Sequence, residues 1–513
     1  MEMTEDRDLP TGVPAGPATY LPGVMVMPAP PTVSVSLLII YNPRSRASPA
    51  LIASTMAPIV TYPPYNQPSV APSPTVQPPR ELLALRRPPP STAPAPPARP
   101  SLAPPPKGYT RTLHAAPAAW PKTLKESVGS FSRQADPFGP VPAKESKEER
   151  AARIVREKDV SCGRRKDATY WSIEEAEASS QPPQWLAVER WHRDVPDNDG
   201  ITLVVAHANG LQKELYHPMI AKLLQKSEPG ALFGTGAPLD PAVMVPIIND
   251  VWFLDDVHHG ASVDLNAGKL ASMYAWADCA RDCLNFVKHV LPTAGGSYQM
   301  KWSDGVTAPP VIGVGHSIGG NAMVQAARAA PGCFSALLLL EPMCQPALGN
   351  VQVKMGNPIV QGALKRRSEW PSVKSAAESR TNPMFKTWDQ DVFDLYLQTS
   401  LVPTGNGEEV TLATPKWAEA AIFSDPEGPQ RGWDALPELR CPVGFVLGGD
   451  PMWLGGPKVV PEIPWRAPRS RNERIMAGGH LLPQERPAEC ADAAWRFFTT
   501  LAAGQWDATA SKL

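Results

Sequence analysis

The stretch Val311-Ile312-Gly313-Val314-Gly315-His316-Ser317-Ile318-Gly319-Gly320 decides the fold of this chain. Its apolar run leads into Gly-x-Ser-x-Gly, and a helix-like segment, residues 321–330, follows directly. A nucleophilic serine sits in a sharp, strained turn between a strand and a helix, where only glycine leaves room for neighbouring backbone. The stretch therefore predicts a buried strand, a nucleophile elbow with Ser317 at its tip, and a helix. The alternative is an ordinary glycine-rich turn.

Proline divides the chain into two unequal parts. Of its 62 prolines, 32 fall within the first 142 residues. Proline removes backbone donors and interrupts helices and inner strands, so we expect residues 1–145 to be disordered or polyproline-II-like. Residues 146–510 suffice for one large α/β domain. Arg86–Pro90 and Pro104–Lys107 resemble ligands of SH3- and WW-type grooves, although most proline-rich segments are merely disordered.

Charge and chain ends exclude several classes of protein. The formal charge is −1 without a long basic stripe, which argues against a nucleic-acid partner. We expect no transmembrane segment, because no apolar run approaches the roughly 18 residues of a membrane span. An acidic N-terminus argues against a secretory signal.

The chain ends in Ser511-Lys512-Leu513, the tripeptide that the peroxisomal import receptor reads. We therefore expect the protein to be located in the peroxisomal matrix.

Apolar strand-like runs alternate with helical patterns through most of residues 185–500. The clearest runs are Ile201–Ala206, Ile247–Leu254, Ala336–Leu340 and Val443–Gly448. Such alternation predicts an α/β fold, with a mostly parallel sheet covered by helices on both faces. Between about 345 and 440 the alternation stops and helical, tryptophan-rich segments take over. This range predicts a helical cap inserted over the active site.

A nucleophile, an acid and a histidine are expected in this chain order. His480 follows Gly478-Gly479 after the last strand-like run, where an imidazole can reach Ser317 as general base. Two carboxylates compete for the third role. Asp450 follows the penultimate strand, the usual place, but also suits a turn before proline. Glu341 ends an apolar strand, where a carboxylate is costly to bury without a partner, so we favour Glu341 and keep Asp450 as the alternative.

The backbone N–H groups of Asn209 and Ile318 are the expected oxyanion hole. Ile318 directly follows the nucleophile, and Asn209 lies in the loop after the Ile201–Ala206 strand. We interpret His207, His258 and His259 as residues that order loops. Adjacent histidines point in different directions, so we expect no metal site there. Catalysis by a serine, a histidine and a carboxylate requires no metal or organic cofactor, so we expect none.

These motifs resemble the α/β-hydrolase superfamily, and within it a fungal group with peroxisomal lipases and abhydrolase proteins of toxin pathways. The resemblance spans about residues 160–500 and rests on His207–Gly210, Asp256–Gly260, Gly315–Gly320, Leu339–Pro342 and Gly479–Leu481. His-Ala replaces the commoner His-Gly in the oxyanion loop. In the yeast-type lipases the segment matching Gly448–Asp450 lacks an aspartate, which favours Glu341.

The expected function is a peroxisomal serine hydrolase that cleaves a lipid ester or an acyl-CoA thioester through an acyl-enzyme. Two alternatives stay open: a hydrolase or acyltransferase of secondary-metabolite (toxin) biosynthesis, and a non-catalytic interaction protein of the same fold. Dehalogenases and epoxide hydrolases of this kind need a carboxylate nucleophile, and position 317 is serine.

Overall fold

An eight-stranded sheet forms the centre of the protein. The computed structural model describes residues 64–66, 81–95, 102–142, 144–227, 246–293, 311–346, 357–405 and 407–504. The described strands are, in chain order, β1 (Tyr109–Pro117), β2 (Trp185–Arg193), β3 (Ile201–Ala206), β4 (Ile248–Leu254), β5 (Val311–His316), β6 (Ala336–Leu340), β7 (Glu369–Trp370), β8 (Leu401–Pro403), β9 (Val410–Leu412), β10 (Val443–Gly448) and β11 (Ser470–Ile475).

The central sheet runs in the order β1-β2-β4-β3-β5-β6-β10-β11. The β1–β2 and β2–β4 pairs are antiparallel, and the other five pairs are parallel. Parallel neighbours need crossover connections, which place helices on the faces of the sheet. The predicted α/β class with a mostly parallel sheet is confirmed.

Helices fill the crossovers and the insertion. They are, in chain order, α1 (Lys147–Lys166), α2 (Ile173–Glu177), α3 (His217–Lys226), α4 (Ser262–Leu265), α5 (Trp276–Asn285), α6 (Ile318–Ala329), α7 (Pro358–Lys365), α8 (Val373–Ala377), α9 (Gln390–Thr399), α10 (Lys416–Phe423), α11 (Gly428–Ala435), α12 (Glu462–Arg466), α13 (Leu482–Glu485) and α14 (Pro487–Ala502). Within the described residues, no helix is both long and apolar enough to cross a bilayer.

The sheet buries apolar side chains on both faces. In β6, Leu337 and Leu339 belong to the core cluster that also contains residues of α5, α6 and α11. The alternate residues, Leu338 and Leu340, join the opposite cluster with α3 and α14. Because successive side chains of a strand point to opposite faces, a strand covered on both sides must be apolar throughout. This explains the unbroken leucine run.

An insertion between β6 and β10 occupies the range predicted for the cap. It carries α7 to α11 and a small antiparallel sheet in the order β7-β9-β8. Helix α10 packs against α7, and its Ile422 reaches the main core. The insertion is therefore joined to the central domain by packing as well as by the chain.

The predicted boundary of the disordered region at residue 145 is wrong. Strand β1 forms an edge of the central sheet, paired with β2 over nine residues. Upstream of it, Arg86 N–H donates to the Trp120 carbonyl at 2.9 Å. Residues 107–116 contain no proline and alternate in character, but the high average proline content of the segment masked this strand. Residues 1–63, 67–80, 96–101 and 143 of the predicted disordered region, like Ser511–Leu513, lie outside the described residues.

A buried ion pair also ties this N-terminal segment to the domain. Lys122 Nζ lies 3.0 and 3.1 Å from the two carboxylate oxygens of Asp282 in α5. The two side chains are only 3% and 4% exposed. Asp282 additionally accepts the Ala119 N–H at 2.6 Å. Residues 109–124 are thus a part of the folded α/β domain.

Candidate active site

Ser317 occupies a strained turn between β5 and α6. Its backbone has φ 54° and ψ −115°, a conformation that non-glycine residues rarely adopt. A Cβ at position 315 would lie 2.5 Å from the Gly319 carbonyl oxygen, and one at position 319 would overlap the Ala206 carbonyl. Both positions therefore require glycine. The strand, turn and helix predicted around Ser317 are present, with the helix starting at Ile318.

The structure places His480 between Ser317 and Glu341. His480 Nε2 lies 2.9 Å from Ser317 Oγ, and His480 Nδ1 lies 3.1 Å from Glu341 Oε2. The Glu341 side chain is 1% exposed, and its Oε1 accepts the Gly448 N–H at 2.6 Å. With Nδ1–H donating to the carboxylate, Nε2 is left to accept the serine proton. This is the geometry that activates a serine nucleophile.

Asp450 does not join this arrangement. It is exposed in the turn after β10, where its Oδ1 accepts the Met452 N–H at 3.0 Å. Glu341, by contrast, has φ 46°, a second strained non-glycine conformation beside the elbow. Of the two carboxylates left open by the sequence, the geometry favours Glu341 as the acid. Asp450 instead stabilises the turn after β10 through its hydrogen bond with Met452.

The loop after β3 carries the predicted oxyanion donor Asn209, and the N–H groups on either side of it are hydrogen-bonded. Ala208 N–H donates to Tyr216 Oη and Gly210 N–H donates to His259 Nε2, both at 2.9 Å. Among the described residues, no hydrogen bond engages the Asn209 N–H between them. Ile318 is the first residue of α6, and the first N–H groups of a helix have no intrahelical partner. Both predicted oxyanion donors thus have backbone N–H groups available for a ligand.

A chain of buried hydrogen bonds joins the oxyanion loop to the histidine loop. Tyr216 Oη accepts from Ala208 N–H and lies 2.7 Å from His316 Nδ1. His316 Nε2 in turn lies 2.8 Å from the His480 carbonyl oxygen. Burial lowers the pKa of His316 to about 3, so its neutral ring accepts the Tyr216 proton and donates to His480. We call Tyr216 and His316 the Tyr–His bridge.

Replacing Tyr216 by phenylalanine is expected to lower kcat about tenfold while KM changes little. The variant leaves the Ala208 N–H and His316 Nδ1 without their buried partner, which loosens the loop that presents the oxyanion donor. Tyr109→Phe is the matched control, because it removes another buried hydroxyl, which donates to the Ile248 carbonyl at the start of β4. Steady-state kinetics check both variants. An equal loss in kcat from Tyr109→Phe would contradict the bridge.

The remaining loop histidines have backbone partners, as expected for ordering residues. His207 Nε2 accepts the Asp256 N–H at 3.0 Å, and its Nδ1 lies 2.8 Å from the Ala208 carbonyl. His258 Nε2 lies 2.9 Å from the Ala271 carbonyl. Over the described part of the chain, no three His, Cys, Asp or Glu side chains are grouped to hold a metal ion.

Buried neutral histidines make stability depend on pH. Burial lowers the pKa of His207 and His316 to about 3 and that of His258 to about 4. Such a group stabilises the fold above its unfolded pKa, near 6.5, and this contribution is lost as pH falls toward the folded value. His316→Asn is expected to reduce the slope of unfolding free energy against pH, between about 6 and 4, by about 1.4 kcal/mol per unit. Urea unfolding measures it, and an unchanged slope would contradict it.

Comparison with known proteins found one matching family and several relatives. The model of the alpha/beta hydrolase family matches residues 203–493. The abhydrolase domain-containing protein AFT2-1 of Alternaria alternata is 28% identical over 216 residues, which cover 36% of this chain and 80% of that protein. The type I acyl-CoA thioesterase mpaH of Penicillium roqueforti is 29% identical over 244 residues, 43% of this chain and 49% of that protein.

A solved structure shares the fold. The peroxisomal alpha-beta-hydrolase Lpx1 of Saccharomyces cerevisiae superposes with a TM-score of 0.51 at 13% identity, covering 78% of this chain and 90% of that one. At this identity the likeness concerns the fold alone. The family match covers more than half of the chain and includes the elbow and His480. The chain belongs to the α/β-hydrolase family.

Proposed function

We propose that the protein is a serine hydrolase that cleaves an ester or thioester through an acyl-enzyme. The observation that carries the proposal is the continuous contact Ser317–His480–Glu341, with a 2.9 Å nucleophile-to-base distance. Family membership supports hydrolase activity in general. The strained backbone at Ser317 supports its role in particular, because such conformations persist where the function needs them.

The geometry supports the following reaction. Ser317 Oγ attacks the acyl carbon while its proton passes to His480 Nε2, and Glu341 stabilises the resulting imidazolium. The N–H groups of Ile318 and Asn209 stabilise the oxyanion. As the bond from carbon to the leaving oxygen or sulfur breaks, Nε2 gives its proton to that atom. Water then attacks the acyl-enzyme with the same histidine as base, releasing the acid and restoring the Ser317 hydroxyl.

An acyl thioester or a lipid ester is the proposed substrate class. Relatives that are about 30% identical over part of this chain are named acyl-CoA thioesterases. This supports a thioester as the first substrate to test.

A fluorophosphonate probe tests the nucleophile. Wild-type protein is expected to be labelled covalently, Ser317→Ala to stay unlabelled, and ester hydrolysis to fall by at least about 10⁴-fold. Ser335→Ala, at an exposed serine just before β6, is the control and should label normally. Labelling that persists in Ser317→Ala, or no labelling of folded wild-type protein, would contradict the proposal.

Ser511-Lys512-Leu513 supports a peroxisomal location. A fluorescent protein fused upstream of this chain is expected in peroxisomes. Deletion of the tripeptide should move the fusion to the cytosol, and an unchanged distribution would contradict the proposal.

A further inference from the structure

We infer that Trp453, with Met452 and Met476, forms a subsite for the leaving group of the substrate. The inference rests on the proposed function and deepens it, because it concerns the side of the scissile bond that His480 protonates. The ligand it fits is a neutral, flexible thiol arm, such as the pantetheine arm of an acyl thioester.

Trp453 is held at a defined place beside the histidine. Its indole stacks on the His480 imidazole with ring centroids 5.6 Å apart and planes inclined by 18°. Its carbonyl accepts the Gln345 side-chain N–H at 2.5 Å, and Gln345 is buried. Gln345, four residues after Glu341, thus fixes the backbone of Trp453 relative to the triad.

The turn that carries Trp453 is built to expose it. Asp450 Oδ1 accepts the Met452 N–H, and Gly456 N–H donates to the Pro451 carbonyl at 2.9 Å. Gly455 and Gly456 have φ of 93° and 87°, which closes the turn tightly. Leu454 is buried as the anchor, whereas Met452 and Trp453 are 70% and 49% exposed. This turn gives Asp450 a role, although it is not the acid.

The histidine loop runs beside this turn and adds a third apolar side chain. Gly449 N–H donates to the Gly478 carbonyl at 2.9 Å, so the two loops meet at these glycines. Met476 is 47% exposed. Three of the nine exposed large apolar side chains among the described residues therefore lie on the two loops that flank His480. Exposed large apolar side chains on adjoining loops favour a binding surface over ordinary scatter.

The chemistry of the reaction decides which part of the substrate meets this surface. His480 Nε2 must lie within hydrogen-bond distance of the leaving atom, because it gives that atom its proton. A group stacked on the same imidazole is therefore placed beside the leaving group when the leaving atom reaches Nε2. Indole and thioether side chains offer polarisable apolar contact without charge, which suits a neutral arm.

Thioesters with one acyl group and different thiols test the subsite. We expect Trp453→Ala to lower the ratio of kcat/KM for the acyl-pantetheine thioester to that for the acyl methyl thioester by about tenfold. The ratio cancels any effect on His480 itself, which would reduce both rates equally. Trp453→Phe should restore most of the ratio, and Val195→Ala, at an exposed apolar side chain before β3, should leave it unchanged.

Each other outcome has a distinct meaning. An unchanged ratio overturns the subsite, and so does a loss that follows acyl length in a series of acyl-pantetheines. If wild-type protein hydrolyses none of these thioesters and resists the fluorophosphonate, the proposed function itself fails. Hydrolysis with an unaffected ratio rejects the subsite alone.

Discussion

Glu341→Gln is expected to lower kcat by about 10⁴-fold while KM stays close to its wild-type value. The loss of kcat is expected because of the hydrogen bond that Glu341 Oε1 accepts from the Gly448 N–H. In the glutamine variant the amide oxygen must take this place, which turns the NH₂ group toward His480 Nδ1. The imidazole then carries its proton on Nε2 and cannot accept the proton of Ser317.

Steady-state kinetics give kcat and KM, and a stopped-flow experiment gives the rate of acyl-enzyme formation. Asp450→Asn is the matched control and is expected to keep the rate within about threefold, because asparagine Oδ1 can accept the same Met452 N–H. The reverse result, a large loss in Asp450→Asn and a small one in Glu341→Gln, would assign the acid to Asp450. Equal small losses would mean that neither carboxylate orients the base.

Lys122→Met is expected to lower the free energy of unfolding by about 3–5 kcal/mol. The variant leaves the buried Asp282 carboxylate without its ammonium partner inside the core. Burial already raises the pKa of Asp282 to about 6, and Lys122 is the main group that opposes this rise. Without the cation, the cost of desolvating the Asp282 carboxylate is no longer compensated. Urea unfolding at neutral pH measures the loss.

Lys125→Met is the control for this experiment. Lys125 pairs with Glu175, and the two side chains are 34% and 50% exposed, so the expected loss is about 1 kcal/mol or less. The double variant Lys122→Met/Asp282→Asn should recover part of the stability, because asparagine still accepts the Ala119 N–H but carries no charge. Similar small losses for both lysines would contradict the expected contribution of the buried Lys122–Asp282 pair.

The elbow and the histidine were predictable because their chemistry imposes local sequence. Glycine at 315 and 319 is required by backbone contact, and His480 must follow the last strand to reach the top of the sheet. The all-apolar β6 was predictable for a similar reason, since both of its faces are covered. Such constraints are visible in a single sequence.

The parts that escaped prediction depend on contacts between distant residues. Strand β1 was missed because a proline average over 142 residues hid ten proline-free positions, and its partner β2 lies about 70 residues away. The Tyr–His bridge joins residues 100 positions apart, and no local pattern marks Tyr216. Trp453 carries no motif at all, because its role comes from a stack on His480.

The sequence alone determined the α/β class, the elbow at Ser317 and the position of His480, because turn sterics and burial of apolar runs act between near neighbours in the chain. Tertiary structure decided which carboxylate meets the histidine, since Glu341 and Asp450 both follow strands and only Glu341 has its side chain at the histidine. It also decided where the folded domain begins. Pairing of β1 and burial of Lys122 are gained only when the sheet and α5 are assembled.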